Sequence, residues 1–221
     1  MVVRGVGEGD SYGGYRARLV ETLRAKGIGD LAVLRAVAHA PRHLFVPESL
    51  RHRAYEDEAL PIGGGQTISQ PWVQARSLEL ARFTGRERVL EVGTGSGYQA
   101  ALLSFVADRV LSVERLAPLA ASARSALNAA GIRNVTVVIG DGSIGWRPLA
   151  PFDVILVAAA SPAVPGPLVE QLAPGGRIVI PIGDRDVQSL TVLTRGPEGL
   201  VTTAVSDVRF VPLLGQHGFQ Q

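Results

Sequence analysis

The sequence predicts an α/β fold, namely a doubly wound and mostly parallel sheet with helices on both faces. From Pro71 onward, apolar runs of strand length alternate with helical segments, as βαβ units require. Residues 152–158 are almost continuously apolar, which is typical of a strand covered on both faces. Two late strand-like runs flank the turn at residues 196–199 and predict a C-terminal antiparallel pair. We expect one domain over residues 1–221.

A helical extension is predicted before this core. Residues 15–25 are amphipathic, and Asp30 is placed to cap a second helix. A glycine-rich connection covers residues 61–70, and Pro71 opens the next helix because proline suits the first helical position. We therefore divide the domain into a tail that we expect to be flexible (1–14), a helical cover with a substrate loop (15–70) and a nucleotide-binding core (71–221).

Strands and helices follow one another in the core. The predicted strands are residues 89–92, 109–113, 135–139, 152–158, 177–180, 190–194 and 201–211. The predicted helices are residues 98–103, 116–130 and 165–172.

The turn at residues 91–97, EVGTGSG, is the most informative segment. Its alternate glycines let the backbone approach a nucleotide-like ligand between a strand and a helix. The carboxylate of Glu91 favours a positively charged ligand group over a pyrophosphate, and S-adenosylmethionine carries an α-amino group and a sulfonium. The loop also fits the G-x-G-x-x-A pattern of dinucleotide sites, and such turns occur where nothing binds. Both alternatives stay open on the glycines alone.

Two further acids stand at predicted strand ends. Glu114 lies about 20 residues past the loop, a spacing that suits a carboxylate accepting both ribose hydroxyls. Asp141 lies between two glycines, where it could reach an adenine amino group. Three acidic strand ends in order favour a site for the methyl donor.

Composition excludes several functions. The net charge is +2 and the arginines are scattered, which argues against nucleic acid. There is no cysteine, and the four histidines lack metal-ligand spacing, so we expect no metal. The start resembles no signal peptide, and no apolar run approaches membrane-spanning length. We expect a soluble cytoplasmic monomer with no membrane partner.

The segment from residue 60 to 71 is the candidate acceptor site. Three glycines at residues 63–65 suggest a hinge, and polar side chains lead into a helix N-terminus, whose free N–H groups suit a carboxylate. From spacing alone, a surface loop in which Ser69 caps the helix is the preferred interpretation.

Five blocks in chain order resemble the protein-L-isoaspartate (D-aspartate) O-methyltransferases, from about Ala38 onward. These blocks are residues 41–47 (PRHLFVP), 65–71 (GQTISQP), 91–100 (EVGTGSGYQA), 140–142 (GDG) and 209–213 (RFVPL). All class I methyltransferases, with their Rossmann-like fold, share the glycine block, whereas GQTISQP and RFVPL are more particular to this repair family. Gly64 and Trp72 depart from the family's more usual residues.

The resemblance implies methyl transfer from S-adenosylmethionine to the carboxylate of L-isoaspartyl and D-aspartyl residues in damaged proteins and peptides. It implies that Ser69 is the catalytic residue beside donor and acceptor. The implied donor-binding residues are Thr67, Ile68, Ser69, Glu91, Gly93, Thr94, Gly95, Ser96, Gly97, Glu114, Asp141 and Gly142. The implied substrate-binding residues are Gln66, Thr67, Ser69, Val211, Pro212 and Leu213.

A carboxylate acceptor has a pKa near ~4, so it is already ionised at neutral pH and needs no strong general base. One rival is a class I methyltransferase for RNA or a small molecule. Amino-group methylation of bases usually uses an Asn/Asp-Pro-Pro-Tyr/Phe motif, which residues 157–162 (VAAASP) lack. A second rival is a donor-binding module without catalysis, against which the intact acidic strand ends and the Ser69 loop argue.

Overall fold

The computed structural model describes residues 11–220. These residues contain nine strands, seven of which form the central sheet. The strands are β1 (Leu60–Gly63), β2 (Gln66–Ile68), β3 (Arg88–Val92), β4 (Arg109–Glu114), β5 (Val135–Ile139), β6 (Phe152–Val157), β7 (Leu172–Gly183), β8 (Gln188–Gly196) and β9 (Gly199–Val208). The helices are α1 (Gly13–Ala25), α2 (Leu31–His39), α3 (Pro71–Ala81), α4 (Tyr98–Leu103), α5 (Ala117–Ala129) and α6 (Gly166–Glu170). Short 3-10 turns occupy Arg42–Phe45, Glu48–Arg53, Gly142–Ile144 and Arg147–Leu149.

The order of the central sheet is β5-β4-β3-β6-β7-β8-β9. Strands β3 to β7 pair in parallel, whereas β8 and β9 extend the sheet in antiparallel pairing. The chain winds outward from β3 in one direction and from β6 in the other, so the strand order reverses between these two strands. This is the predicted doubly wound fold, and ligands bind outside the carboxyl ends of the strands at such a reversal.

Both faces of the sheet are covered, which explains the continuous apolar runs. Along β3, Val89 faces the cluster that contains the helical cover, while Leu90 and Val92 face the second cluster. Side chains of successive strand residues point to opposite faces of the sheet. Each core strand therefore needs apolar residues at both odd and even positions.

Most predicted elements are confirmed. The Asp30 carboxylate accepts hydrogen bonds from the backbone N–H groups of Ala32 (2.8 Å) and Val33 (3.3 Å), as a helix cap should. Pro71 is the first residue of α3. Helix α1 begins at Gly13, inside the segment predicted as a tail; residues 1–10 of that tail lie outside the described residues.

Two boundaries differ from the prediction for reasons of pairing. Strand β7 begins at Leu172, which pairs with Phe152, so the Pro-Gly-Gly segment lies within the strand and α6 ends earlier. Strand β9 ends at Val208, because the chain beyond it leaves the sheet and a bridge joins Pro212 to Ala160.

The segment at residues 60–68 is a hairpin, not an irregular connection. Strands β1 and β2 pair in antiparallel, and the turn glycines Gly63, Gly64 and Gly65 have φ angles of +91°, +59° and +70°. A side chain with a Cβ rarely adopts this conformation, so the glycines specify the tight turn.

Candidate active site

A cleft opens at the carboxyl ends of β3, β4 and β6, beside the reversal of strand order between β3 and β6. The cleft is lined by Gln66, Thr67, Ile68, Ser69, Gln74, Val92, Gly93, Thr94, Gly95, Ser96, Gln99, Val113, Glu114, Arg115, Leu116, Gly142, Ala158, Ala159, Val211, Pro212, Leu213 and Leu214. The structure thus brings together thirteen of the sixteen predicted site residues and leaves Glu91, Gly97 and Asp141 outside the lining.

The β1–β2 hairpin lies against the glycine loop. The Ile62 Cδ1 atom is 3.7 Å from the position that a Cβ would take at Gly95, and Leu116 Cδ1 is 3.7 Å from the equivalent position at Gly64. The hairpin therefore forms one wall of the cleft and places Thr67 and Ser69 beside the loop.

Gly97 serves the fold at this loop. It is the N-cap of α4 with φ +89°, and a Cβ there would lie 3.1 Å from the Ala123 Cβ on α5. The third glycine therefore allows two helices to approach each other, whereas Gly93 and Gly95 face the cleft.

Glu114 lines the cleft and is held by backbone donors. Its Oε2 accepts a hydrogen bond from Gly95 N (2.8 Å) and its Oε1 accepts one from Leu116 N (2.9 Å). These bonds tie the glycine loop to the end of β4 and leave further lone pairs for hydroxyl donors.

Glu91 lies beneath the loop and is fully buried. Ser112 Oγ donates a hydrogen bond to Glu91 Oε2 and also lies 2.5 Å from Thr94 Oγ1. Glu91 Oε1 has no hydrogen-bond partner among the described residues. Burial raises the pKa of Glu91 to about 8, although Ser112 and the nearby Gln99 amide favour the charged form. The Gln99 amide nitrogen makes no well-formed hydrogen bond within residues 11–220. Glu91 therefore reaches the cleft only through Ser112 and Thr94.

Asp141 faces the C-terminal segment. Its Oδ1 accepts from Ser143 N (2.9 Å) and its Oδ2 accepts from Gln216 N (2.8 Å). Partial burial would raise its pKa, but these hydrogen bonds outweigh burial and hold the pKa below its ordinary value. The neighbouring Gly142 does line the cleft, and a Cβ there would lie 2.5 Å from Val92 Cγ1.

The N-terminus of α3 is already paired within the protein. Its N-cap is Gln70, not Ser69, and the Asp57 carboxylate accepts from Trp72 N at 2.8 Å. Lys26 Nζ donates to the same carboxylate at 2.6 Å. The expectations that Ser69 caps this helix and that its end receives a substrate carboxylate are therefore wrong.

Arg42 holds the Ser69 loop from behind, a contact that sequence analysis missed. Its Nη2 donates to the Ser69 carbonyl oxygen at 2.8 Å, and its Nη1 donates to Gln74 Oε1 at 2.9 Å. Burial lowers the pKa of Arg42 to about 10, so the guanidinium remains charged at neutral pH. Its only signal in the sequence was its place in the PRHLFVP block.

The C-terminal segment closes another side of the cleft. Ala160 N donates to the Val211 carbonyl at 2.8 Å, and Leu213 N donates to the Ala160 carbonyl at 2.7 Å. This pairing places residues 211–213 in the cleft wall, beside the turn that follows β6. Nine further residues line the cleft through tertiary packing and were not predicted from the sequence, namely Gln74, Val92, Gln99, Val113, Arg115, Leu116, Ala158, Ala159 and Leu214.

Within residues 11–220 we find no group of three or more His, Cys, Asp or Glu side chains that could hold a metal ion. No helix in the same range is long and apolar enough to span a membrane.

A doubly wound sheet with a glycine loop at its reversal point and an acid at the next strand end fits two classes, dinucleotide-binding proteins and class I S-adenosylmethionine-dependent methyltransferases, and the relatives identify this chain as the second. A family model described as protein-L-isoaspartate(D-aspartate) O-methyltransferase matches residues 15–218. The chain belongs to this family, which confirms the resemblance of the five sequence blocks.

Relatives and solved structures agree with this membership. A protein-L-isoaspartate O-methyltransferase of Methanoculleus marisnigri is 52% identical over 206 residues, covering 93% of this chain and 94% of the relative. A solved protein-L-isoaspartate O-methyltransferase superposes with a TM-score of 0.82 at 32% identity, over 92% of this chain and 67% of that one. A putative one from Plasmodium falciparum, in complex with S-adenosyl-L-homocysteine, gives 0.79 at 26% identity, over 90% and 98% of the two chains.

Proposed function

We propose that this chain is a repair enzyme that methylates the side-chain or α-carboxylate freed at L-isoaspartyl and D-aspartyl residues of damaged proteins and peptides, with S-adenosylmethionine as donor. The observation that carries the proposal is a single cleft in which the GQTIS hairpin, the glycine loop, Glu114 and the RFVPL segment meet. The first and last of these are the blocks most particular to the family.

The cleft fits the donor at several points. We assign the backbone of residues 93–96 to the methionine part, Glu114 to the ribose hydroxyls and Gly142 to the adenine end. Gly142 lines the cleft without a side chain, which lets a ligand approach its backbone closely. Thr67, Ile68 and Ser69 complete the donor site, whereas Glu91, Gly97 and Asp141 shape its walls from outside the lining.

Ser69 is assigned to the acceptor, which it orients by a hydrogen bond from its hydroxyl group. Gln66 and Thr67 on one side and Val211, Pro212 and Leu213 on the other bracket the substrate backbone. The bound donor supplies a sulfonium methyl group, onto which a carboxylate oxygen of the substrate forms a C–O bond as the S–CH₃ bond breaks. This displacement cancels charge, so a cleft that excludes water favours it. Alignment of the reactants contributes on the order of 7–11 kcal/mol at most.

The ester product explains the repair function. Methanol leaves an ester more readily than hydroxide leaves a carboxylate, so a neighbouring backbone nitrogen closes a succinimide ring. Hydrolysis of that ring returns some normal aspartate.

We further propose that the chain acts as one domain, as a monomer, in the cytoplasm and without nucleic acid or membrane partners. The scattered arginines and the net charge of +2 support the exclusion of nucleic acid.

The test is transfer of labelled methyl from S-adenosylmethionine to a synthetic isoaspartyl peptide, with the normal aspartyl peptide as control. We expect label on the isoaspartyl peptide alone, and slow loss of that label in mild base, as an ester requires. Absence of label in a protein that binds S-adenosylhomocysteine would refute the proposed acceptor and leave the donor site standing.

A further inference from the structure

Arg42 is a buried cation that pairs with neutral groups next to the cleft. Its side chain is fully buried, and its hydrogen bonds go to Gln74 Oε1 (2.9 Å) and to the carbonyl oxygens of Ser69 (2.8 Å) and Glu58 (3.4 Å). Its guanidinium carbon also lies 4.7 Å from the ring centroid of Tyr98. A buried charge without a bonded carboxylate is costly for stability, so a role beyond stability is expected of it.

The contact with Arg42 determines which way the Gln74 amide points. A guanidinium only donates hydrogen bonds, so it must face the amide oxygen of Gln74 and turn the amide nitrogen away from itself. Gln74 is 4% exposed and lines the cleft. Its Oε1 is bonded to Arg42 and its Nε2 makes no hydrogen bond with residues 11–220, so Nε2 is the polar atom of Gln74 that remains available to a ligand in the cleft.

An amide nitrogen without a protein partner can donate a hydrogen bond to an acceptor on a bound ligand. The cleft is the place where, under the proposed function, two carboxylates meet: the α-carboxylate of the methyl donor and the carboxylate of the isoaspartyl residue. Both offer the oxygen acceptor that the Gln74 amide lacks. The positive charge of Arg42 behind the amide favours an anion over a neutral carbonyl at this point.

We propose that Gln74 binds a carboxylate in the cleft through its amide nitrogen, and that Arg42 is the positioning residue that orients Gln74 and the Ser69 loop. Arg42 acts through these two residues, since it does not line the cleft. This inference rests on the proposed function for the identity of the carboxylate, and on the cleft geometry for the contact itself.

Gln74→Glu tests the binding contact with little change in shape. The new carboxylate keeps the bond to Arg42 but replaces the donor that faces the cleft by a negative charge. We expect a roughly 10- to 100-fold loss of affinity, since a charge-assisted hydrogen bond is removed and a like charge introduced. The loss falls on KM for an isoaspartyl peptide if Gln74 binds the substrate. It falls on Kd for S-adenosylhomocysteine, measured by calorimetry, if Gln74 binds the donor.

Gln220→Glu is the matched control. It makes the same charge change at an exposed residue outside the cleft lining, and both constants should stay at their wild-type values. If Gln74→Glu also leaves KM and Kd within about twofold of wild type, the proposal is overturned. The calorimetric arm needs no turnover, so a wild-type protein that binds S-adenosylhomocysteine without methylating the peptide would refute the proposed function separately.

Arg42→Lys tests the positioning role. Lysine keeps the charge but lacks the planar fork that reaches two oxygens at fixed angles. We expect a fall in kcat or kcat/KM on the order of 10-fold, and we expect the double variant with Gln74→Glu to lose less than the product of the single losses. If Arg42 had a purely structural role, Arg42→Lys would lower the melting temperature and the two activity losses would multiply in the double variant. Multiplicative losses or unchanged kinetic constants would therefore overturn the positioning role. Arg18→Lys, at an exposed site on α1, is the control.

Discussion

Glu91→Gln removes a titratable group beneath the glycine loop and keeps its size. Burial raises the pKa of Glu91 from an ordinary 4.5 to about 8. Between these values the carboxyl is protonated in the folded protein and ionised in the unfolded chain, so unfolding releases one proton. For a carboxyl with a raised folded-state pKa, the free energy of unfolding therefore falls as pH rises through this window.

The expected magnitude follows from one proton. Release of one proton on unfolding corresponds to a slope of about −1.36 kcal/mol per pH unit. Between about pH 5 and pH 7.5 the wild-type protein should lose roughly 3 kcal/mol through Glu91 alone, and the loss should level off above the folded-state pKa. The glutamine variant lacks this proton, so its stability relative to wild type should increase by the same amount over that range.

Urea unfolding followed by circular dichroism, at several pH values across this window, measures the difference. Taking wild type minus variant cancels the titrating groups that do not interact with Glu91. Glu48→Gln is the control, since the Glu48 side chain is 88% exposed and should give nearly parallel curves. Parallel curves for Glu91→Gln would refute the raised pKa and with it the view of Glu91 as a neutral buried group.

Three further substitutions test the assigned roles. Ser69→Ala should lower turnover roughly 10-fold, the value of one orienting hydrogen bond, while Kd for S-adenosylhomocysteine stays nearly unchanged; equal turnover would exclude the role in orienting the acceptor. Glu114→Ala should weaken donor binding by roughly 10- to 100-fold in calorimetry, because the ribose hydroxyls lose a charged acceptor; an unchanged Kd would contradict the ribose assignment. Gly142→Ala places a Cβ 2.5 Å from Val92 Cγ1, and overpacking of this kind costs about 1–3 kcal/mol. Gly142→Ala should lower both the melting temperature and the affinity for the donor. Wild-type values for both would show that the packing between Gly142 and Val92 is not tight.

Local patterns determined much of the fold. The carboxylate of Asp30 caps a helix two residues away, Pro71 opens one, and the apolar runs of β3 and β6 became strands buried on both faces. These features depend on neighbours in sequence and on the periodicity of a sheet covered on both sides, so a sequence reveals them. The glycine loop and Glu114 were located by the same reasoning, and family blocks supplied Ser69 and residues 211–213.

Tertiary structure decided what those residues contact. Asp57 occupies the end of α3 that had been expected to receive a substrate, Glu91 lies beneath the cleft, and Asp141 bonds to Gln216. Arg42 reaches Gln74 across 32 residues, a pairing that no local pattern encodes. Secondary structure arises from short-range geometry, whereas the partner of a buried polar group is whichever donor or acceptor the packed chain brings beside it.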